Sequence, residues 1–318
     1  MNETENPFST AVRTICEENL GLLRDELLLV VADLPLKPLG ARIAEEAKGF
    51  GQACKLVEVG RVKRAGCPPP GFTREILCRG AAALLVTSKS LSHTAERRVA
   101  CHEHGIRIAS MPGITGEVIC RLFCPGSAGL VSRRTNALAA SLEGAGRIEL
   151  RTEAGTELEL SIAGRKIYTD TGLYREPGRF GNLPAGEVSA APVSFSARGR
   201  VVVDLAFAGL GAVDGLILEL EKGRIVAAKG PGRGRLLKLL AENRDRVAGE
   251  FGIGTNPLAR PSSLTLEAEK AVGTVHLGLG DNISFGGENR ATGHWDAVLN
   301  CRWIKVDGEI LDLTEPLV

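Results

Sequence analysis

The sequence has almost no net charge, no long apolar run and no regular cysteine spacing. Thirty-nine Lys and Arg stand against 38 Asp and Glu, a formal balance of +1, so there is no electrostatic ground for a nucleic-acid or membrane-surface partner. No stretch approaches the roughly 18 to 20 consecutive apolar residues of a membrane span. The opening Met1-Asn2-Glu3-Thr4-Glu5-Asn6 is polar and acidic rather than basic then apolar, which is not the pattern of an export signal. Seven of the eight cysteines (Cys16, Cys54, Cys67, Cys78, Cys101, Cys120, Cys124) fall in the first 124 residues without a Cys-x-x-Cys pair. They read as reduced thiols packed as small hydrophobes in a cytoplasmic protein. Internal repeats and low-complexity tracts are also missing. Small molecules or short peptides are the expected partners.

At 318 residues and 44% hydrophobic content, the chain is long enough for two domains. In the first, Leu27 to Ala32, Ala82 to Thr87 and Ile106 to Ser110 read as strands, with helices at Leu39 to Phe50 and Thr94 to His104. Strands alternating with helices predict an α/β domain with a parallel sheet over residues 1–128. A helix at Val131 to Leu142 is expected to bridge to the second domain, 129–318. There the pattern changes to apolar and polar alternation: 147–151 with 157–162, then 201–206, 215–221 and 224–228. These predict an α+β domain built mostly on antiparallel sheet. Helices are expected at 233–246 and after Pro261-Ser262-Ser263, a strand at 249–254, and a closing hairpin of 297–306 with 309–313 around Asp307-Gly308.

The chemistry gathers in the last quarter. Two of only five histidines, His276 and His294, lie there, and His294-Trp295-Asp296 is a His-x-Asp pair. On a strand, residues i and i+2 point to one face, so His294 and Asp296 present an imidazole and a carboxylate together while Trp295 packs behind. Glu187 and Glu250 sit beside small or Gly-rich backbone in Pro184-Ala185-Gly186-Glu187 and Gly249-Glu250-Phe251-Gly252. Two imidazoles and three carboxylates form a mixed nitrogen and oxygen donor set, suited to zinc, cobalt, manganese or iron rather than calcium. Five ligands exceed the needs of one open catalytic metal and fit a pair that shares carboxylates, a site suited to metal-assisted hydrolysis. Lys229-Gly230-Pro231-Gly232-Arg233-Gly234 matches neither phosphate-loop nor dinucleotide spacing and reads as a turn. Ser92 and His93 lack a nucleophile elbow.

Taken together, these residues resemble the thermophilic-type metallo-aminopeptidases, the family of aminopeptidase T and aminopeptidase S, and their relatives the dihydroxypyridine ring-cleaving dioxygenases. The likeness runs through Ser92 to Arg98, Ile108 to Thr115, Asn182 to Val188, Gly249 to Asn256 and Glu269 to Asp296. It implies a homodimer that removes N-terminal residues from short peptides. Two divalent ions (Zn, Co or Mn) would be held by Glu187, Glu250, His276, His294 and Asp296, and Glu250 or Glu269 would manage the proton of the attacking water. One departure stands out: the aminopeptidases carry a tyrosine seven residues after the first metal histidine, where this chain has Ile283. The alternative that the resemblance offers is a dioxygenase with one Fe(II), its ligands two histidines and a carboxylate. His294 and Asp296 match two of these, and the third is either His276 or Glu250 as a substitute.

Overall fold

A computed structural model describes residues 6–315, so all of the acidic opening segment except Asn6 lies outside the described residues. The chain forms two compact units: the described part of Met1–Ser132 with Asp170–Ala185, and Arg133–Thr169 with the described part of Gly186–Val318.

The first unit is built on a five-stranded sheet in the order Cys54–Val59, Leu28–Asp33, Ala82–Val86, Arg107–Ser110, Phe180–Asn182, with all neighbours parallel. Leu28–Asp33 and Ala82–Val86 are buried at every residue, as strands covered on both faces require. The helices Lys37–Gly49 and Ala95–His102 stand where the apolar spacing puts them. Phe180–Asn182, which joins the sheet edge beside Arg107–Ser110, is separated from that strand by about seventy residues of chain, and no local pattern marks it.

The second unit carries two seven-stranded sheets. One consists of Arg147–Arg151, Glu157–Ser161, Arg198–Val203, Leu216–Glu221, Arg224–Lys229, Trp303–Val306 and Glu309–Asp312, with all neighbours antiparallel. The other has at its centre Glu187–Ala190, Ala248–Gly254, Thr274–Gly280 and His294–Asn300, also antiparallel. One hydrophobic core joins them, with Ile148, Leu160, Val201 and Leu218 from the first sheet and Val188, Phe251, Ile253, Leu277 and Leu299 from the second. The fold class is therefore an N-terminal α/β domain with a parallel sheet and a C-terminal domain of antiparallel sheet.

Several elements differ from their sequence expectation. The expected strand 201–206 is two, Arg198–Val203 and Ala206–Phe207, which lie in different sheets. The expected strand 297–306 is two strands, His294–Asn300 and Trp303–Val306, which lie in different sheets. The expected helix 233–246 ends at Leu239, and Asn243–Arg246 is a separate 3-10 turn. The buried Asp245 carboxylate causes this break: it accepts from the Glu242 amide and from the amide and hydroxyl of Thr292, bonds that a continuing helix does not allow. The helix expected after Ser263 is a single turn, Thr265–Ala268. All eight cysteines are free thiols. No helix of the described residues is long and apolar enough to cross a membrane.

Candidate metal centre

The site sheet separates core from chemistry by the two-residue period of its strands. Phe251, Ile253, Val275, Leu277, Leu279, Ala297 and Leu299 face the core, and Trp295 packs against the same cluster. The alternate residues of the same strands, Glu250, Gly252, His276, Gly278, His294 and Asp296, share the other face. Register then selects which of them meet. Glu250 lies opposite Gly278 and Gly278 opposite Asp296, in one row across three strands, while His294 lies two pairs further along, opposite Gly280. An irregularity between Ala248 and Glu250 sets this alignment, as a bulge does when it re-aims a side chain.

Gly278 leaves the middle of that row vacant. A Cβ there would stand 2.6 Å from His294 Nε2 and 2.8 Å from Glu250 Cβ, so any other residue would fill the space in which the three side chains converge. His294 Nε2 is 2.8 Å from Glu250 Oε2 and 3.0 Å from Asp296 Oδ1, and one donor atom from each of the three residues lies within 4.8 Å of the others. The far nitrogen, His294 Nδ1, is 2.8 Å from the Asp281 carbonyl oxygen, which can only accept. A hydrogen on Nδ1 leaves Nε2 to face two carboxylates. Electrostatics then demand positive charge at that point, either a proton that makes an imidazolium or a metal ion. The Phe285 ring, 5.3 Å from the imidazole between centroids, flanks His294 and is itself flanked edge-on by Tyr168.

The titration of these groups follows from the crowding. Burial opposes charge on His294, but the Asp296 and Glu250 carboxylates outweigh it and hold the imidazole well above its ordinary range. Burial pushes Glu250 and Asp296 up, and His294 outweighs it and draws both down. Glu269 is driven well above the usual carboxylate range, chiefly by burial and then by the neighbouring Asp296 and Glu187, against the opposing pull of Lys270.

Glu187, His276 and Glu269 form a second group. His276, buried on the same face, has its ring over Gly252, where a Cβ would collide with it. Its Nε2 is 3.5 Å from Glu187 Oε2. The other Glu187 oxygen is 2.6 Å from Lys270 Nζ, and Glu269 Oε1 is 3.0 Å from the same ammonium. Of the five expected metal ligands, Glu250, His294 and Asp296 converge on one point, while Glu187 pairs with both His276 and Lys270. Ile283, at the position of the aminopeptidase tyrosine, opens a 3-10 turn and is exposed.

Sequence reasoning passed over Lys270 and Gly278. Lys270 looks like an ordinary charge beside Glu269, although the small and apolar residues that follow it, Ala271 to Val275, point to burial. Gly278 and Gly280 alternate with Leu277 and Leu279, and glycine at every second strand position signals close approach on one face.

The donor set fits a divalent ion. Two carboxylates balance the charge of such an ion, and the neutral imidazole completes a three-sided set with positions left over.

Comparison with known proteins narrows the choice of family. The family model for NicX, 2,5-dihydroxypyridine 5,6-dioxygenase, matches residues 71–312. The 2,5-dihydroxypyridine 5,6-dioxygenase of Pseudomonas putida KT2440 is 27% identical over 187 residues, 53% of this chain and 53% of that protein, so the chain spans about half the length of this curated relative. The solved 2,5-dihydroxypyridine dioxygenase of Pseudomonas putida KT2440 shares the fold at a TM-score of 0.77, with 20% identity over 96% of each chain. Wild-type AmpT from Thermus thermophilus shares it at 0.70, with 18% identity over 96% of this chain and 97% of that one. The likeness to the aminopeptidase is thus one of fold, whereas the dioxygenase relation is also carried by sequence. The chain belongs to the NicX, 2,5-dihydroxypyridine 5,6-dioxygenase, family.

Proposed function

We propose that this protein is a ring-opening dioxygenase that acts on a small hydroxylated heteroaromatic of the 2,5-dihydroxypyridine type, with one Fe(II) held by Glu250, His294 and Asp296. The observation that carries this reading is the convergence of three donors rather than five. Three ligands on one side of an ion leave positions for substrate and oxygen, the arrangement used by non-haem iron oxygenases. The expected two-histidine set becomes one histidine and two carboxylates here, because Glu250 rather than His276 stands beside His294. Ile283 also speaks against peptide hydrolysis, since it offers no phenol to a developing oxyanion.

An Fe(II) held by Glu250, His294 and Asp296 would supply the redox-active Lewis acid that oxygen-dependent ring opening needs. The chain's own residues do the rest. The Asp281 carbonyl fixes the His294 tautomer with Nε2 turned inward, and Phe285 holds the imidazole plane from one side. The Glu269 carboxylate, whose proton affinity burial raises, would take up the proton that the substrate's hydroxyl loses.

The test is anaerobic reconstitution with Fe(II), followed by oxygen uptake with 2,5-dihydroxypyridine, beside release of free amino acids from a dipeptide panel. Oxygen uptake matched by substrate loss, and abolished in His294→Asn, supports the proposal. Amino-acid release without oxygen uptake would overturn it in favour of the aminopeptidase.

A further inference from the structure

The triad leaves Lys270 unexplained. Its side chain is 1% exposed, deeper than that of either carboxylate it touches, and burying an ammonium is unfavourable unless it is well paired. Its partners, Glu187 and Glu269, are among the acidic groups that a second metal ion would need. A divalent ion and an ammonium cannot share those oxygens, because like charges at hydrogen-bonding distance repel and each claims the same lone pairs. The other Glu187 oxygen faces His276. His276 itself is 2% exposed, and its Nδ1 has no hydrogen-bond partner, so the pocket holds a buried nitrogen donor left unsatisfied.

We propose that Lys270 is a built-in counter-ion that holds Glu187 and Glu269 in place of a second metal, so that the centre takes one divalent ion at Glu250, His294 and Asp296. Lys270 is then a positioning residue: it fixes the metal count and holds Glu187 against His276 without touching the reacting atoms. This rests on the triad being the metal site, but not on the reaction performed there.

Cobalt(II) tests the inference without reference to activity. Metal-stripped full-length protein is titrated with Co(II), and cobalt per chain is counted by elemental analysis after equilibrium dialysis. Wild type is expected to take one ion, His294→Asn none, and Glu187→Gln and His276→Gln one each with affinity within about twofold of wild type. Lys270→Met, which frees two carboxylates and keeps the bulk, is expected to take two. Two ions in wild type, a tenfold loss of affinity in Glu187→Gln, or a folded Lys270→Met that still takes one would each overturn the inference. If Lys270→Met does not fold, wild type and the Glu187 and His276 variants decide alone. A wild type that binds no cobalt, or a His294→Asn that binds it as well as wild type, would instead sink the metal-centre reading beneath it.

Discussion

Asp33 in the first unit and the Glu250 and Asp296 pair in the second are both acid sites at strand residues, Asp33 and Glu250 buried and Asp296 half-buried, yet they are provisioned in opposite ways. Asp33 is fully buried and supplied with donors: its two oxygens accept from the amides of Val62 and Ser88 and from the Ser88 hydroxyl. Glu250 and Asp296 share a single nitrogen, His294 Nε2. A buried carboxylate given its own hydrogen bonds is part of the architecture. Two that must share one donor are short of positive charge, and that deficit marks a place for a cation.

The sharpest way to break the comparison is to remove the vacancy rather than a ligand. In Gly278→Ala the added methyl takes the space where the three donor groups meet, and metal affinity is expected to fall by about a hundredfold or more, read by dialysis against Co(II) or Fe(II). The core face of the strand is untouched, so circular dichroism should stay native; retained metal affinity would remove Gly278 from the account.

A smaller effect comes from pH. In the metal-free protein the His294 imidazolium, raised above its unfolded value by Asp296 and Glu250, contributes stability that is fully present below the unfolded pKa of about 6.5. That contribution is lost as pH rises through the higher folded value. Metal and proton compete for Nε2, so below the folded pKa affinity is expected to rise about tenfold per pH unit, with one proton released per ion. Calorimetric titration in buffers of different ionisation enthalpy counts that proton, and a count of zero would mean that Nε2 is not the ligand atom.

Asp33→Asn should have the smallest effect on the metal centre, namely none. An amide nitrogen placed among donors costs the first unit about 1–3 kcal/mol, seen as a lowered midpoint in urea, while cobalt uptake stays at the wild-type level. A change in uptake would show that the two acid sites are not independent.

What could be read from the sequence follows the range of the interactions. The parallel sheet was legible because strands such as Ala82–Val86 are uniformly apolar, and His294 and Asp296 could be paired because their spacing within one strand fixes a common face. Glu250 could not be set above His276 as the third member, because the choice depends on register between strands and on the irregularity before Glu250. Lys270 is the same kind of case: its partner Glu187 lies more than eighty residues earlier, and Glu269 beside it looks like an ordinary surface pair. The break after Leu239 also depends on a distant group, Thr292, which engages Asp245.

The strict alternation of the site sheet has a consequence for how such a protein changes over time. Leu277, Leu279, Ala297 and Leu299 hold the sheet to its core, and none of them shares a face with Glu250, His294 or Asp296. Replacing a ligand therefore asks nothing of the packing behind it, and repacking the core asks nothing of the ligands. One backbone can therefore accept different donor sets as interchangeable parts, and the fold is shared by proteins as differently named as a 2,5-dihydroxypyridine dioxygenase and AmpT.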